Sequence, residues 1–335
     1  MKFVKLLILA AAICGLIFLI KWVIDITHED DGKGETDIIV IENPVLKPFI
    51  DEYTADWSGT RKWNPELYQH HLEIAAGYKT SKDITEAEYD ALYHNINTDV
   101  LERLVTILEK QFKGKTLDEN EVSLNMSGVE TVALNMDPNN GRVAKMRKAW
   151  QTYKDTKAFV GKSYSAASFS TGMNGDRTSW TPFDTHKKAE LAKRDNYRNA
   201  PLYKEYFTDN TYLSTGLASV DSKVEGCRND YYRNVLNSIK GYYGTKPTFN
   251  TDTYFRRMRN VTDEREWASA VNDFNTSWDS YLDNFRTRKR KVSEVSARFK
   301  KEAGSNLGSS MDAVVSVYSM LPTKPSIPAK PNFNN

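Results

Sequence analysis

The chain has 335 residues, and its 46 basic and 44 acidic side chains leave a formal net charge of +2, which excludes a one-signed global field for nucleic acid or anionic membrane. A hydrophobic fraction of 40%, with 12% aromatic and 27% charged residues, is that of a chain that folds by packing and excludes wholesale disorder. Of its 2 cysteines, Cys14 and Cys227, only the second lies in the body of the chain, so no disulfide can join two parts of that body.

In chain order, Lys2 and Lys5 precede an apolar run from Leu6 to Ile20 that resumes as Trp22-Val23-Ile24. As a helix, Phe3 to Ile24 would reach roughly 33 Å, against a hydrocarbon core of about 30 Å. The bulky Lys21–Thr27 stretch offers no small-residue cleavage site, and Ile13 before Cys14 does not suit lipidation. Residues 1–27 are therefore expected to be an uncleaved signal-anchor. Lysine placement puts the short N-terminus inside and the main domain outside, as a single-pass protein of the bacterial inner (cytoplasmic) membrane. Residues 28–47 read as a juxtamembrane linker, in which the β-branched Ile38-Ile39-Val40-Ile41 before Asn43-Pro44 predicts a short strand.

Residues 48–160 read as an N-terminal helical region. Asn64-Pro65 is an N-cap followed by proline at the first helical position, and Leu67, His71, Ile74 and Tyr78 recur at helical spacing, with a turn expected at Gly77. Thr85 and Glu88 form a capping box that opens a helix running to Gly114. From Leu117 to Met136 the apolar positions mix periods of two and four, with helix preferred, and a further helix is expected from about Arg142 to Val160.

Residues 161–183 break every period and predict an irregular loop, which serves either as an interdomain connection or as a binding loop; its apolar members Phe169, Trp180 and Phe183 should pack back on the body. Residues 184–321 read as a C-terminal helical bundle. One helix is expected from Leu217 to Tyr243, with Val220, Val224, Cys227 and Tyr231 on one face, which makes Cys227 a core residue. Thr262 is the expected cap of a long helix whose positions Trp267, Val271, Phe274, Trp278, Tyr281, Phe285, Arg288, Val292, Val295 and Phe299 alternate steps of four and three. Rings this broad suit packing inside one domain better than a two-stranded coiled coil. After a last helix from Ser309 to Leu321, residues 322–335 form a Pro-rich tail; Pro322, Pro325, Pro328 and Pro331 would line one face of a polyproline II helix, as an extended spacer or a partner motif. The fold class expected is mainly α: an N-terminal transmembrane helix followed by an extracytoplasmic helical bundle with long amphipathic helices and little or no sheet.

No pattern carries catalysis. His70 and His71 are about 100° apart on a helix and cannot share an ion, and the Glu66/His70 and Asp90/His94 pairs read as surface pairs. A glycan hydrolase needs only two carboxylates, which leave no spacing signature; Glu66 and Glu73 stand out no more than other acidic residues. Catalytic residues are thus unassigned, and neither a cofactor nor a metal is expected. The basic cluster Arg286, Arg288, Lys289, Arg290 and Lys291 reads as a solvated helix face in preference to an anion-binding patch. The expected role is a noncatalytic binding or scaffold component of a bacterial cell envelope, with the membrane and an envelope protein as partners, no nucleic acid, and an open oligomeric state. The alternative is an envelope hydrolase acting on glycan or peptide through a carboxylate pair.

Overall fold

A computed structural model describes residues 39, 41–60, 62–138 and 140–333. In chain order its helices are α1 (Lys47–Trp57), α2 (Pro65–Ser81), α3 (Glu86–Phe112), α4 (Glu119–Leu134), α5 (Gly141–Val160), α6 (Phe183–Asn199), α7 (Pro201–Tyr206), α8 (Thr211–Glu225), α9 (Arg228–Tyr243), α10 (Asp252–Arg259), α11 (Glu264–Ala303) and α12 (Gly308–Ser316). Among the described residues there is no strand, and the protein is a mainly helical bundle. The expected membrane anchor, residues 1–27, and most of the linker after it lie outside the described residues; no described helix is long and apolar enough to cross a membrane. Two compact units divide the chain: one comprises the described residues up to Val160 with Tyr197–Gly216, the other Gly161–Asn196 with Leu217 onward.

In the first unit α3 is the central helix. The Thr85–Glu88 box closes in both directions, with Glu88 N donating to Thr85 Oγ1 at 3.2 Å and Thr85 N donating to Glu88 Oε2 at 2.7 Å. From Asn95 to Leu101 every residue of α3 is buried, so this helix has neighbours on all sides. The mixed-period stretch is helix α4, started by Asp118, whose Oδ1 accepts from the amides of Asn120 and Glu121. A glycine explains part of its ambiguous pattern. Gly128 of α4 lies so near Trp63 that an added Cβ would fall 2.6 Å from that ring, so a helix-weak residue stands where packing needs the smallest one.

Two expectations for this unit need correction. Gly77 does not turn the chain; it continues α2 in open space, and the helix stops at Lys82, whose φ of 65° supplies the left-handed C-cap. The expected strand falls partly outside the described residues, and its described members Ile39 and Ile41 are not in a strand. Ile39 pairs instead with a side chain: its N–H donates to Asn95 Oδ1 at 2.9 Å and its carbonyl accepts from Asn95 Nδ2 at 2.7 Å. A carboxamide carries one donor and one acceptor in peptide geometry, so Asn95 stands in for a neighbouring strand.

In the second unit the expected helix over 217–243 is broken. Helix α8 ends at Glu225 and α9 begins at Arg228, because Gly226 and Cys227 form a turn between them. The face survives the break, since Val220, Val224, Cys227 and Tyr231 are all buried. The long helix α11 starts one residue later than expected. Asp263 is its N-cap, accepting from Glu266 N at 2.7 Å, while Thr262 contributes its amide and hydroxyl to the Glu266 carboxylate at 2.8 and 3.0 Å. Helices α9, α10 and α12 pack on α11, and Trp267, Phe274, Trp278, Phe285, Val292, Val295 and Phe299 are buried within the unit. The aromatic seam is therefore covered by the chain's own elements.

Candidate interaction surface

Three features singled out by the sequence converge on α11: the irregular loop on its C-terminal half, the basic cluster in its middle and the Pro-rich tail on its N-terminal half. The loop is fastened by side chains. Trp180 Nε1 donates to Glu302 Oε2 at 2.6 Å, Arg298 Nη2 donates to Trp180 O at 2.8 Å, and Arg298 Nε donates to Glu302 Oε1 at 2.9 Å. Phe169, Trp180 and Phe183 are buried, as their apolar character required. Gly172 adopts φ +53°, and an added Cβ there would lie 2.4 Å from Thr181 Oγ1, so this turn accepts only glycine.

At the loop's tip Asp176 Oδ1 accepts from Thr178 Oγ1 at 2.7 Å, and its Oδ2 accepts from Lys291 Nζ at 2.9 Å. Those two bonds, the hydroxyl first, hold its carboxyl down to about 2. Tyr243 reaches the backbone of the same residue, its hydroxyl donating to Asp176 O at 2.9 Å. Near the start of the loop, Glu190 accepts from Tyr164 at 2.9 Å, Lys162 at 3.3 Å and Lys193 at 2.8 Å. Burial alone would raise the Glu190 carboxyl, but these donors outweigh it and leave it below the ordinary value.

The members of the basic cluster each make an internal contact. Arg286 pairs with Asp283 at 3.2 Å, Arg290 with Glu294 at 3.0 Å and Lys291 with Asp176. Arg288 stands over the Tyr242 ring at 4.9 Å and donates to Tyr242 O at 3.0 Å, while Lys289 donates to Ser319 O at 3.1 Å. Arg286 and Arg290 are exposed, as expected of a solvated helix face, while Lys291 and Lys289 fasten the loop and the segment after α12 to α11.

The tail is a strap and not a loose spacer. Pro322, Pro325, Pro328 and Pro331 are each half-buried, while every residue between them is exposed, so one proline face does line the body. The strap runs antiparallel to α11. Ser319 is bonded to Lys289, Lys324 stands 5.8 Å from the Phe274 ring centre, and Lys330 pairs with Glu264. From residue 319 to 330 a polyproline II rise covers about 34 Å, and the helix from 289 to 264 covers about 37 Å, so the chain is close to fully extended along it. Phe333 then packs on the cluster of Met258, Trp267, Ala270 and Phe274.

The first unit holds the histidines that the sequence raised as candidates. His70 is exposed, 3.9 Å from Glu52, whereas His71 is fully buried between the edges of Phe49 and Tyr53. His71 Nδ1 has no hydrogen-bond partner, whereas Nε2 lies 3.2 Å from Asp56 Oδ2. Burial lowers its pKa, with the Asp56 charge opposing. Beside it, Tyr53 donates to buried Asp99 at 2.6 Å, and Arg103 Nε donates to the same oxygen at 2.7 Å. Burial first, and the Asp99 charge second, keep the Tyr53 phenol protonated well beyond its ordinary range. Glu66 and Glu73 are exposed on α2, two helical turns apart. Asp90 is exposed too, and His94 reaches Thr98 at 3.5 Å. Sequence reading missed the Tyr53–Asp99–Arg103 network and the Phe333 anchor; only the 3.6-residue stripe that contains His71 gave any signal of a buried polar site. Among the described residues no three His, Cys, Asp or Glu side chains gather as a metal site would require. Comparison of the chain with family models, with characterised proteins and with solved structures gives no match.

Proposed function

We propose that the chain is a membrane-anchored, extracytoplasmic helical protein that acts as a noncatalytic binding or scaffold component of a bacterial cell envelope. The observation that carries this reading is that polar side chains act as fasteners, with Arg298 and Glu302 holding the loop and Glu264 holding the tail on α11. Among the described residues, every Asp or Glu with a displaced pKa, including Glu88, Glu130, Asp176, Glu190, Glu205, Glu225 and Glu264, is displaced downward by a hydrogen-bonding partner. A glycan hydrolase needs one carboxyl raised so that it can donate a proton near neutral pH. These carboxylates serve as fixed anchors, the use expected of a framework. The apolar run Leu6–Ile20 supports attachment to a membrane, and lysine placement supports the outside location of the body.

Crosslinking of a tagged full-length copy in native membranes, followed by mass spectrometry, tests the reading. Recovery of one stoichiometric envelope protein is the expected result. Recovery of none, together with turnover of cell-wall glycan or peptide by the purified protein, would overturn it in favour of the hydrolase.

A further inference from the structure

The strap over the N-terminal half of α11 is seated by side chains that any copy of the same segment would present identically. We infer that the groove beneath it docks residues Pro322–Phe333 of a second copy of this chain, in exchange with the chain's own strap. The groove is matched to that segment in both shape and charge. Phe333 packs on the cluster that includes Trp267 and Phe274, Glu264 receives Lys330 at one end, and the Phe274 ring faces Lys324.

The strap is also built to detach. Proline has no N–H, so four of its positions lift away without leaving a backbone donor unpaired. A segment with proline at every third residue stays extended when free, so recapture in another groove orders little new chain. The hinge lies at Ser319–Leu321, between α12 and the first proline. Here Met320 is 76% exposed and Leu321 48%, and Ile327 on the outer edge of the strap is 41% exposed. These apolar side chains stay partly exposed to solvent in a single copy. In an exchanged pair the two hinges run past each other, and Met320 and Leu321 are the residues placed to meet across the new contact.

Because the contacts in the groove are the same in either arrangement, the balance between them depends on hinge strain and on the local concentration of copies. The inference deepens the binding reading, on which it rests for the tethering that would concentrate copies in one membrane plane.

The test uses two differently tagged full-length copies in a Cys14→Ala, Cys227→Ala background. One carries Glu264→Cys and the other Lys330→Cys, both at exposed positions, and the two are expressed together and treated with a short bismaleimide in the membrane. Exchange predicts a crosslinked heterodimer severalfold above that of a control pair, Lys110→Cys with Lys330→Cys. The Glu264→Cys, Lys330→Cys double variant reports whether the strap lies on α11 within one chain. Intrachain crosslinking in the double variant, with no heterodimer above control in the mixed pair, overturns the inference, as does the absence of crosslinking in both. A different envelope protein recovered from membranes in that case would leave the scaffold reading standing, so the two failures are distinguishable.

Discussion

The guanidinium carbon of Arg298 sits 4.1 Å from the centre of the Trp180 ring while its Nη2 donates to the carbonyl of the same tryptophan. One arginine thus meets both the face and the backbone of a loop residue, and its Nε binds Glu302, which in turn accepts the indole N–H. Lysine cannot make these contacts together, because it lacks the planar fork. Arg298→Lys should lower stability by about 1.5–3 kcal/mol, the range for losing hydrogen bonds to charged groups. Hydrogen exchange should show that the amides of residues 172–181 lose protection before the rest of the unit. Uniform loss across the unit would mean that the clamp does not specifically hold the loop.

Two glycines on helices separate packing from propensity. Gly128→Ala places a methyl group against Trp63 and Leu104, and overpacking of this kind costs about 1–3 kcal/mol, more than the roughly 1 kcal/mol that alanine gains in a helix. Gly77→Ala meets nothing and should stabilise by about 0.5–1 kcal/mol. Chemical denaturation of the two variants should shift the midpoint in opposite directions.

The same contrast shows what could be read ahead of the structure. Helices with strong caps, such as Thr85 with Glu88, and the α11 seam were legible because their signals are local and periodic. The three-residue proline period correctly marked one face, but nothing local says what that face lies on; Lys330 and Glu264 meet across 66 residues of sequence. Ile39 read as a strand because β-branched residues favour extended backbone, and no pattern shows that its partner is the side chain of Asn95 on a helix. Likewise the basic run at 286–291 has the same composition whether its charges face solvent or hold a loop; only the positions of Asp176, Tyr242 and Ser319 distinguish the two.

Asn95→Ala should release the entry to the first unit. It removes the donor and the acceptor that satisfy the Ile39 backbone, and a methyl group replaces neither. Limited proteolysis near Ile39 should accelerate while the melting temperature of the body changes by only a few degrees. Unchanged cleavage would show that the pairing does not hold this segment in solution.

Asp176 is predicted to titrate at about 2 instead of its ordinary 3.8. A carboxylate with a depressed native pKa contributes stability above its unfolded value and loses that contribution as pH falls through the native one, here between about 4 and 2. Lys291→Ala should move the midpoint only part of the way back, because the Thr178 hydroxyl is the larger cause. Carboxyl NMR titration of the two proteins measures both values, and a wild-type midpoint near 3.8 would refute the contact.

His71 should make the first unit sensitive to mild acid, with the opposite charge change. Burial holds the imidazole below its ordinary 6.5, with Asp56 and Glu52 on α1 opposing that shift and His70 on α2 reinforcing it. Above pH 6.5 neither the folded nor the unfolded chain binds this proton, so its contribution is complete. As pH falls below that value the unfolded chain is protonated first, which favours unfolding until the lower native pKa is reached and the effect levels off. The buried ring also carries one nitrogen, Nδ1, without a hydrogen bond, a cost that an apolar ring of similar size would remove. His71→Phe should therefore match or exceed wild-type stability at pH 7.5 and flatten the decline just below pH 6.5. Unfolding curves collected across that window decide the point: equal slopes for the two proteins would show that His71 does not carry the acid sensitivity.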